Sequence, residues 1–410
     1  MAAKSATERT DWQKVRSSFP FFKRNPGTIF LDSASTTQKP ESVLRAISTF
    51  YRKDCANAGR ATYGLSTQLA SEIEASRNKV AEFINADPDG LVFTSGATES
   101  LNTVALGWGL TNLEDGDEIM LCMEDHKSTV LPWLNLKTTL ARLGKEIKIV
   151  PFKIHREGDY DLKDLASRAS ERTRLIALTH VHHLYGMDME VEEIRSIVGA
   201  DVLISLDACQ SIGHREVDVQ SLGVDFLSFS GHKMFALNGI GALWIGPKVR
   251  DRMLPLKPGG GLNDKEGEEG RSLRAAYEGG TANIPGILSL KKAIQFIESL
   301  GMDEIEGRIH NLTRKLYFSI KDLEGIQFSP GFGQCACPQG FGILAFRFEQ
   351  VPSIDLAFAL ESENILLRSG DHCQTSAGAG GDQYLRVSLQ IYNTEAEIEN
   401  LARVLGEITS

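Results

Sequence analysis

The chain predicts an α/β protein, a mostly parallel sheet covered by helices with a smaller α+β domain after it. Three observations carry that expectation. Short apolar runs alternate with helical patterns from about residue 28 to 245. One of those patterns places Leu69, Ile73, Val80, Phe83 and Ile84 on a single helical face. Past residue 257 the alternation gives way to a stretch rich in Gly and charge, and then to long helices with few strands.

In chain order the apolar runs fall at 28–32, 91–94, 118–122, 147–150, 175–178, 202–206, 226–229 and 241–244. Most are apolar nearly throughout rather than alternating, as strands buried on both faces are. The stretch 257–270 reads as a long exposed loop. Beyond it come helices at about 286–299 and 302–322, a strand at 341–348, a helix, a short strand at 365–368 and a closing helix at 394–408. The large domain is assigned to 26–285 and the small one to 1–25 with 286–410. In such sheets ligands bind at the carboxyl ends of the strands, so the residues just past each run are the candidates for chemistry.

Composition narrows the class. Of 410 residues, 42% are hydrophobic and 24% charged, an ordinary globular balance. No apolar run approaches the roughly 20 residues needed to cross a bilayer, and the first residues lack the apolar centre of a secretory signal. A net charge of -10 without a basic run argues against a nucleic-acid partner. Six scattered cysteines (Cys55, Cys122, Cys209, Cys335, Cys337 and Cys373) make no disulfide framework and suit a reducing cytoplasm. Cys335 and Cys337 have no second pair to complete a zinc site and read as loop cysteines. No metal is expected.

Four strand ends carry candidate side chains. Ser230-Gly231-His232-Lys233 follows the run 226–229. A lysine at the mouth of a buried strand is partly desolvated, which lowers its pKa and makes the amine a usable nucleophile. Asp207 ends the run 202–206. A carboxylate there is costly unless a cation such as a protonated pyridine nitrogen pairs with it. In Thr94-Ser95-Gly96-Ala97-Thr98-Glu99 a strand turns into a helix, and the amides of Ala97 and Thr98 at that helix start make a phosphate cradle. His126, just past 118–122, can stack on a flat ring. Singly, these could equally be a solvated lysine, a capping aspartate, an ordinary N-cap and a hydrogen-bonded histidine. Their joint order of phosphate turn, His, Asp and Lys is far more specific than any one member and suits a flat cofactor with a basic ring nitrogen and an anionic tail, such as pyridoxal 5'-phosphate (PLP).

With Leu31-Asp32-Ser33-Ala34-Ser35, Gln38-Lys39-Pro40, Asp207-Ala208-Cys209-Gln210, Gly279-Gly280-Thr281-Ala282-Asn283 and the segment 386–394, that order resembles the class V aminotransferase family of fold-type I PLP enzymes. Within it the chain is most similar to the SufS-like cysteine desulfurases and selenocysteine lyases. The resemblance implies a mostly parallel seven-stranded sheet in the large domain. It also implies that Lys233 holds PLP as a Schiff base and shuttles the Cα proton, that Asp207 pairs with the pyridine nitrogen, that Gln210 contacts the ring hydroxyl and that His126 stacks on the ring. Ala97, Thr98, Ser230 and His232 would bind phosphate, helped by Thr281 from the other subunit of a homodimer. Arg386 would hold the substrate carboxylate, with Arg368 and Ala34 also in the substrate site.

Arg368-Ser369-Gly370-Asp371-His372-Cys373 carries the candidate nucleophile. By the resemblance, Cys373 attacks the sulfur of L-cysteine, leaving a persulfide and alanine, and the sulfur passes to an acceptor protein. Residues His372 and Arg368 beside it would make an electropositive setting that favours thiolate. The segment 377–381 reads as a mobile loop that suits a hand-off. The chain departs from the family pattern at His183, which stands where an asparagine usually contacts the ring oxygen. It departs also at Asp371, at Gly59 ahead of Arg60, and in a helix ending at 197–201 that is a few residues short. His183 leaves open another class V reaction, such as elimination, transamination or epimerisation.

Overall fold

Seven of the eight apolar runs become neighbouring strands of one sheet in the computed structural model, which describes residues 10–58, 61–260, 273–332, 340–375 and 383–409. Gly59, Arg60, Cys335, Cys337, most of the loop 257–270 and the segment 377–381 lie outside the described residues. The strands are β1 Ile29–Phe30, β2 Leu91–Thr94, β3 Glu118–Cys122, β4 Lys148–Phe152, β5 Thr173–Thr179, β6 Leu203–Asp207, β7 Phe226–Ser230 and β8 Gly241–Ile245. They continue with β9 Ile326–Phe328, β10 Ile343–Phe348, β11 Ile365–Leu366, β12 Arg368–Ser369 and β13 Leu385–Ser388.

The large sheet has the order β2-β8-β7-β6-β5-β3-β4. Only β8 opposes its neighbours, pairing antiparallel with both β2 and β7. Helices cover both faces, so β6 and β7 are buried along their whole lengths, which is why their sequences read as unbroken apolar runs.

The run at 28–32 differs from expectation. β1 pairs in parallel with β11 in a separate two-stranded sheet. Ile29 of β1 and the adjoining Leu31 pack with Leu344, Phe346, Leu356 and Leu385, so burial against the C-terminal half decides the place of the run. A second sheet, β12-β13-β10-β9, is antiparallel. The expected helices appear as Ile284–Leu300, Met302–Ile320, Ser353–Ser362 and Glu395–Thr409. The first of them buries Ile287, Leu290, Ile294 and Ile297 in the same cluster as Leu91, Phe93 and Leu227 of the large sheet. The short helix Val191–Val198 ends at Gly199, whose φ of 75° only glycine adopts without strain.

Two features aim the fold at one point. β5, β6 and β7 are in register at their carboxyl ends, Thr179 opposite Asp207 and Asp207 opposite Ser228. β13 lies beside β12 and reaches the same point from the C-terminal half, and Ser388 donates to Leu31 O at 2.7 Å.

The edge strand that feeds the phosphate turn is held by a buried ion pair. Arg77, 1% exposed, donates to both carboxylate oxygens of Glu278 (2.7 and 2.8 Å) and to Leu91 O (2.8 Å). Glu278 also accepts the Phe93 N–H at 2.8 Å. Removing one partner of such a pair strands the other charge, a cost of about 3 kcal/mol or more. Glu278→Ala should therefore lower stability by about 3 kcal/mol in denaturant unfolding. A change within about 0.5 kcal/mol would contradict the importance given to this pair.

Candidate active site

Five strand ends and two loops enclose a cavity of about 210 Å³. The turn after β2 enters as Gly96-Ala97, opening the helix Ala97–Val104, which has no side-chain N-cap. Gly96 is needed there: its φ is 154°, and an added Cβ would lie 3.2 Å from Ser230 Oγ. Gly241 of β8 is equally constrained, since its Cβ would meet Gly96 Cα at 2.7 Å. Ala97 N–H donates to Ser230 Oγ at 2.8 Å, and Thr98 shares a hydrogen bond with Ser128 at 2.8 Å.

β3 delivers His126, the N-cap of the helix Lys127–Arg142. Its Nδ1 accepts the Ser128 N–H at 3.1 Å, which leaves any proton on Nε2. Burial first, and then Lys233, Arg386 and Arg368, push its pKa down to about 4. At neutral pH the ring is an uncharged, flat surface. β6 delivers Asp207, 5% exposed, which accepts from Thr129 Oγ1 (3.2 Å) and Cys209 N–H (2.9 Å). Gln210 follows on the same turn and spends one amide proton on Ala34 O at 3.0 Å. β7 ends in Ser230, and the tight turn Gly231–Lys233 carries His232 and Lys233. The His232 carbonyl is gripped by Thr37 N–H and Lys39 Nζ, both at 3.0 Å, which fixes the peptide that leads into Lys233.

The loop after β5 delivers His183, 3% exposed, with both ring nitrogens unpartnered. Its ring meets His126 edge to face at 5.1 Å. The neighbouring His182 is fully bonded: Nδ1 accepts from Leu184 and Tyr185, while Nε2 faces Glu124 O at 3.2 Å. It has no lone pair left for a metal.

β12 and β13 bring two arginines. Arg386, 2% exposed, donates to His183 O (3.0 Å), Asp32 (3.1 Å) and Ser35 Oγ (2.9 Å), while its buried Nε has no partner. Arg368 donates to Ser35 Oγ at 3.3 Å and to Cys373 Sγ at 3.4 Å. The cationic setting of Cys373 differs from the sequence expectation in one respect. Burial pushes His372 down to about 4, so it is neutral, and Arg368 is the cation in contact with the sulfur.

Every expected site residue except Thr281 therefore lines this one cavity. Thr281 is exposed in a neighbouring hollow beside Ser95 and Glu99. A larger open groove of about 650 Å³ runs between Gln327, Arg347 and Pro352, away from these groups. The sequence reading missed Ser35, Ser128 and Cys209 as cavity residues. Two of them stood inside motifs already quoted, and Ser128 carried only the weak signal of a hydroxyl at a helix start. Cys209 is a second thiol in the wall, pushed up to about 12 by burial and by Asp207.

The donor set fits PLP: a primary amine, a buried carboxylate, an uncharged flat ring, a glycine turn at a helix start that a Cβ would crowd, and an unpartnered guanidinium N–H.

Comparison with known proteins agrees with that chemistry. The family model of class V aminotransferases matches residues 29–401. A cysteine desulfurase of Shigella flexneri is 33% identical over 408 residues, covering 96% of this chain and 97% of its own. The apo structure of a cysteine desulfurase from Thermococcus onnurineus superposes with a TM-score of 0.89 at 31% identity, over 100% of this chain and 99% of that one. The cysteine desulfurase CsdA of Escherichia coli gives 0.85 at 28% identity, over 98% of each. The chain belongs to the class V aminotransferase family, whose enzymes depend on PLP.

The buried imidazoles set a pH dependence. His126, His232 and His372 are pushed to about 4, His182 to about 3 and His183 well below its usual value, each first by burial. An unfolded chain takes up these protons below about pH 6.5, whereas the folded chain refuses them until about pH 4. Stability is therefore whole above pH 6.5 and falls as pH drops toward 4, by at most about 1.4 kcal/mol per unit for each histidine. His180 and His214, also pushed to about 4 by burial, add to the loss, while Asp125, raised to about 8 by burial, works in the opposite sense. Denaturant unfolding of the coenzyme-free protein at pH 7.5, 6 and 5 should show a progressive loss of several kcal/mol. A flat profile would refute the neutral state of the buried imidazoles.

Proposed function

We propose that this chain is a PLP-dependent L-cysteine desulfurase. The single observation that carries the reading is a cysteine, Cys373, held by an arginine at 3.4 Å in the same cavity as Lys233 and Asp207. Bound PLP supplies an electron sink that makes the substrate Cα and its neighbouring C–S bond labile.

The chain's own groups do the rest. Asp207 keeps a positive charge on the ring nitrogen, and His126 supplies an uncharged face for the ring. Gln210 and His183 border the ring oxygen. Ala97, Thr98, Ser230 and His232 take the phosphate, and Thr281 completes that cradle in the partner of a homodimer, a role that suits its exposure. The unpartnered Nε of Arg386 receives the substrate carboxylate, with Arg368 and the Ala34 backbone alongside. Lys233 holds and returns the Cα proton.

Cys373 attacks as thiolate: a bond forms between its Sγ and the substrate sulfur as the substrate C–S bond breaks. The products are a persulfide on Cys373 and, after protonation, L-alanine. An acceptor protein then takes the outer sulfur. Among the described residues no helix is long and apolar enough to cross a membrane, and Cys55, Cys122, Cys209 and Cys373 are unpaired. These features suit a cytoplasmic enzyme. One observation favours a second reading: the two free nitrogens of His183 could redirect the reaction to elimination, giving pyruvate and ammonia.

Product analysis with L-cysteine and a reductant separates the readings. Wild type should release alanine and sulfide. Cys373→Ala should lose alanine formation by at least about a hundredfold while keeping the yellow coenzyme absorbance. Alanine at the wild-type rate from that variant, or pyruvate from the wild type, would overturn the assignment. In Lys233→Ala, borohydride should no longer fix the coenzyme covalently.

A further inference from the structure

The turn that presents Cys373 is conformationally unfavourable. His372 and Cys373 both sit at positive φ, 45° and 62°, a left-handed pair that side chains with a Cβ resist. Such a turn persists only where its surroundings hold it. Here the surroundings belong to the segment after β3.

Three contacts close a ring around the Cys373 peptide. Lys127 N–H donates to Cys373 O at 2.8 Å. Cys373 N–H donates to Asp371 Oδ1 at 3.0 Å. Lys127 Nζ meets Asp371 Oδ2 at 2.6 Å. Both backbone polar groups of the cysteine are thus held, one by each member of a single ion pair. Gln374 Nε2 to Glu124 O (3.3 Å) and Thr375 Oγ1 to Met123 O (2.6 Å) extend the seam. Lys127 is also the residue after His126, so the ring ties the Cys373 turn to the strand end that carries the imidazole. The Asp371 carboxyl is held below its usual range by Lys127 first and by the Cys373 N–H next.

We propose that the Lys127–Asp371 ion pair is a clasp that positions the Cys373 thiol for attack, making Lys127 and Asp371 positioning residues of the sulfur-transfer step. This rests on the assignment of Cys373 as the nucleophile. Both side chains are well exposed, 39% and 58%, and an isolated surface pair contributes little to stability. The clasp acts instead through the register of a turn that does not hold itself. Its loss should slow the reaction without unfolding the protein or weakening substrate capture, which belongs to Arg386. Because the pair faces water, about 1 M salt should weaken it in the wild type.

The test uses the PLP-loaded enzyme. Lys127→Met and Asp371→Asn should each lower kcat for alanine formation by about three- to tenfold. KM for cysteine, the coenzyme absorbance and the unfolding temperature should not change. Lys127→Arg should restore most of the rate. The double variant should be no slower than either single one, because both break the same ring. Alkylation of Cys373 by iodoacetamide, read on its peptide by mass spectrometry, should quicken by a similar factor in both single variants, with exposed Cys55 as the internal standard. An unchanged kcat in Lys127→Met, or losses that multiply in the double variant, would overturn the clasp. A wild type that makes no alanine would instead sink the nucleophile assignment, and the alkylation rates would still judge the clasp.

Discussion

A carboxylate buried at the mouth of β6 is the constraint around which the site is arranged. Asp207 sits between Thr179 of β5 and Ser228 of β7 and is buried. Its two protein donors, a hydroxyl and an amide, orient the charge without neutralising it. Leaving such a group unpaired and buried is expensive. A protonated aromatic nitrogen placed beside Asp207 would supply the missing charge and gain electron-withdrawing power from the pairing.

The remaining walls keep the cationic count low. The four imidazoles that line the cavity, His126, His183, His232 and His372, are held neutral first by burial, so its fixed cations are the guanidiniums of Arg386 and Arg368. The two guanidiniums share Ser35 as an acceptor and flank Asp32 and Cys373 respectively. One is thus directed at a carboxylate and the other at a sulfur. That division of labour follows from β12 and β13 lying side by side, with Arg368 opposite Arg386 in the ladder.

Much of this was legible in the sequence, and the reason is physical. A strand buried on both faces must be apolar throughout, so 202–206 and 226–229 announced themselves, and the polar residue ending each was the natural suspect. The run at 28–32 carried the same signature yet went elsewhere, because composition reports burial and not the neighbour. β13 escaped notice as a strand because Arg386 interrupts its apolar pattern, and β9 because three residues leave no period to read. The charge state of His372 was equally hidden. Adjacent cationic residues suggest a positive field, but only three-dimensional burial reveals that an imidazole has been stripped of its proton.

The second sulfur in the wall has its own consequence. Cys209 lies within the pocket but remains an undissociated S–H at any physiological acidity, since desolvation and the adjoining anion both oppose ionisation. Two thiols thus line one chamber, and Cys373 is the one in contact with a guanidinium. An electrophile that slips inside therefore finds a protonated, weakly nucleophilic sulfur at Cys209.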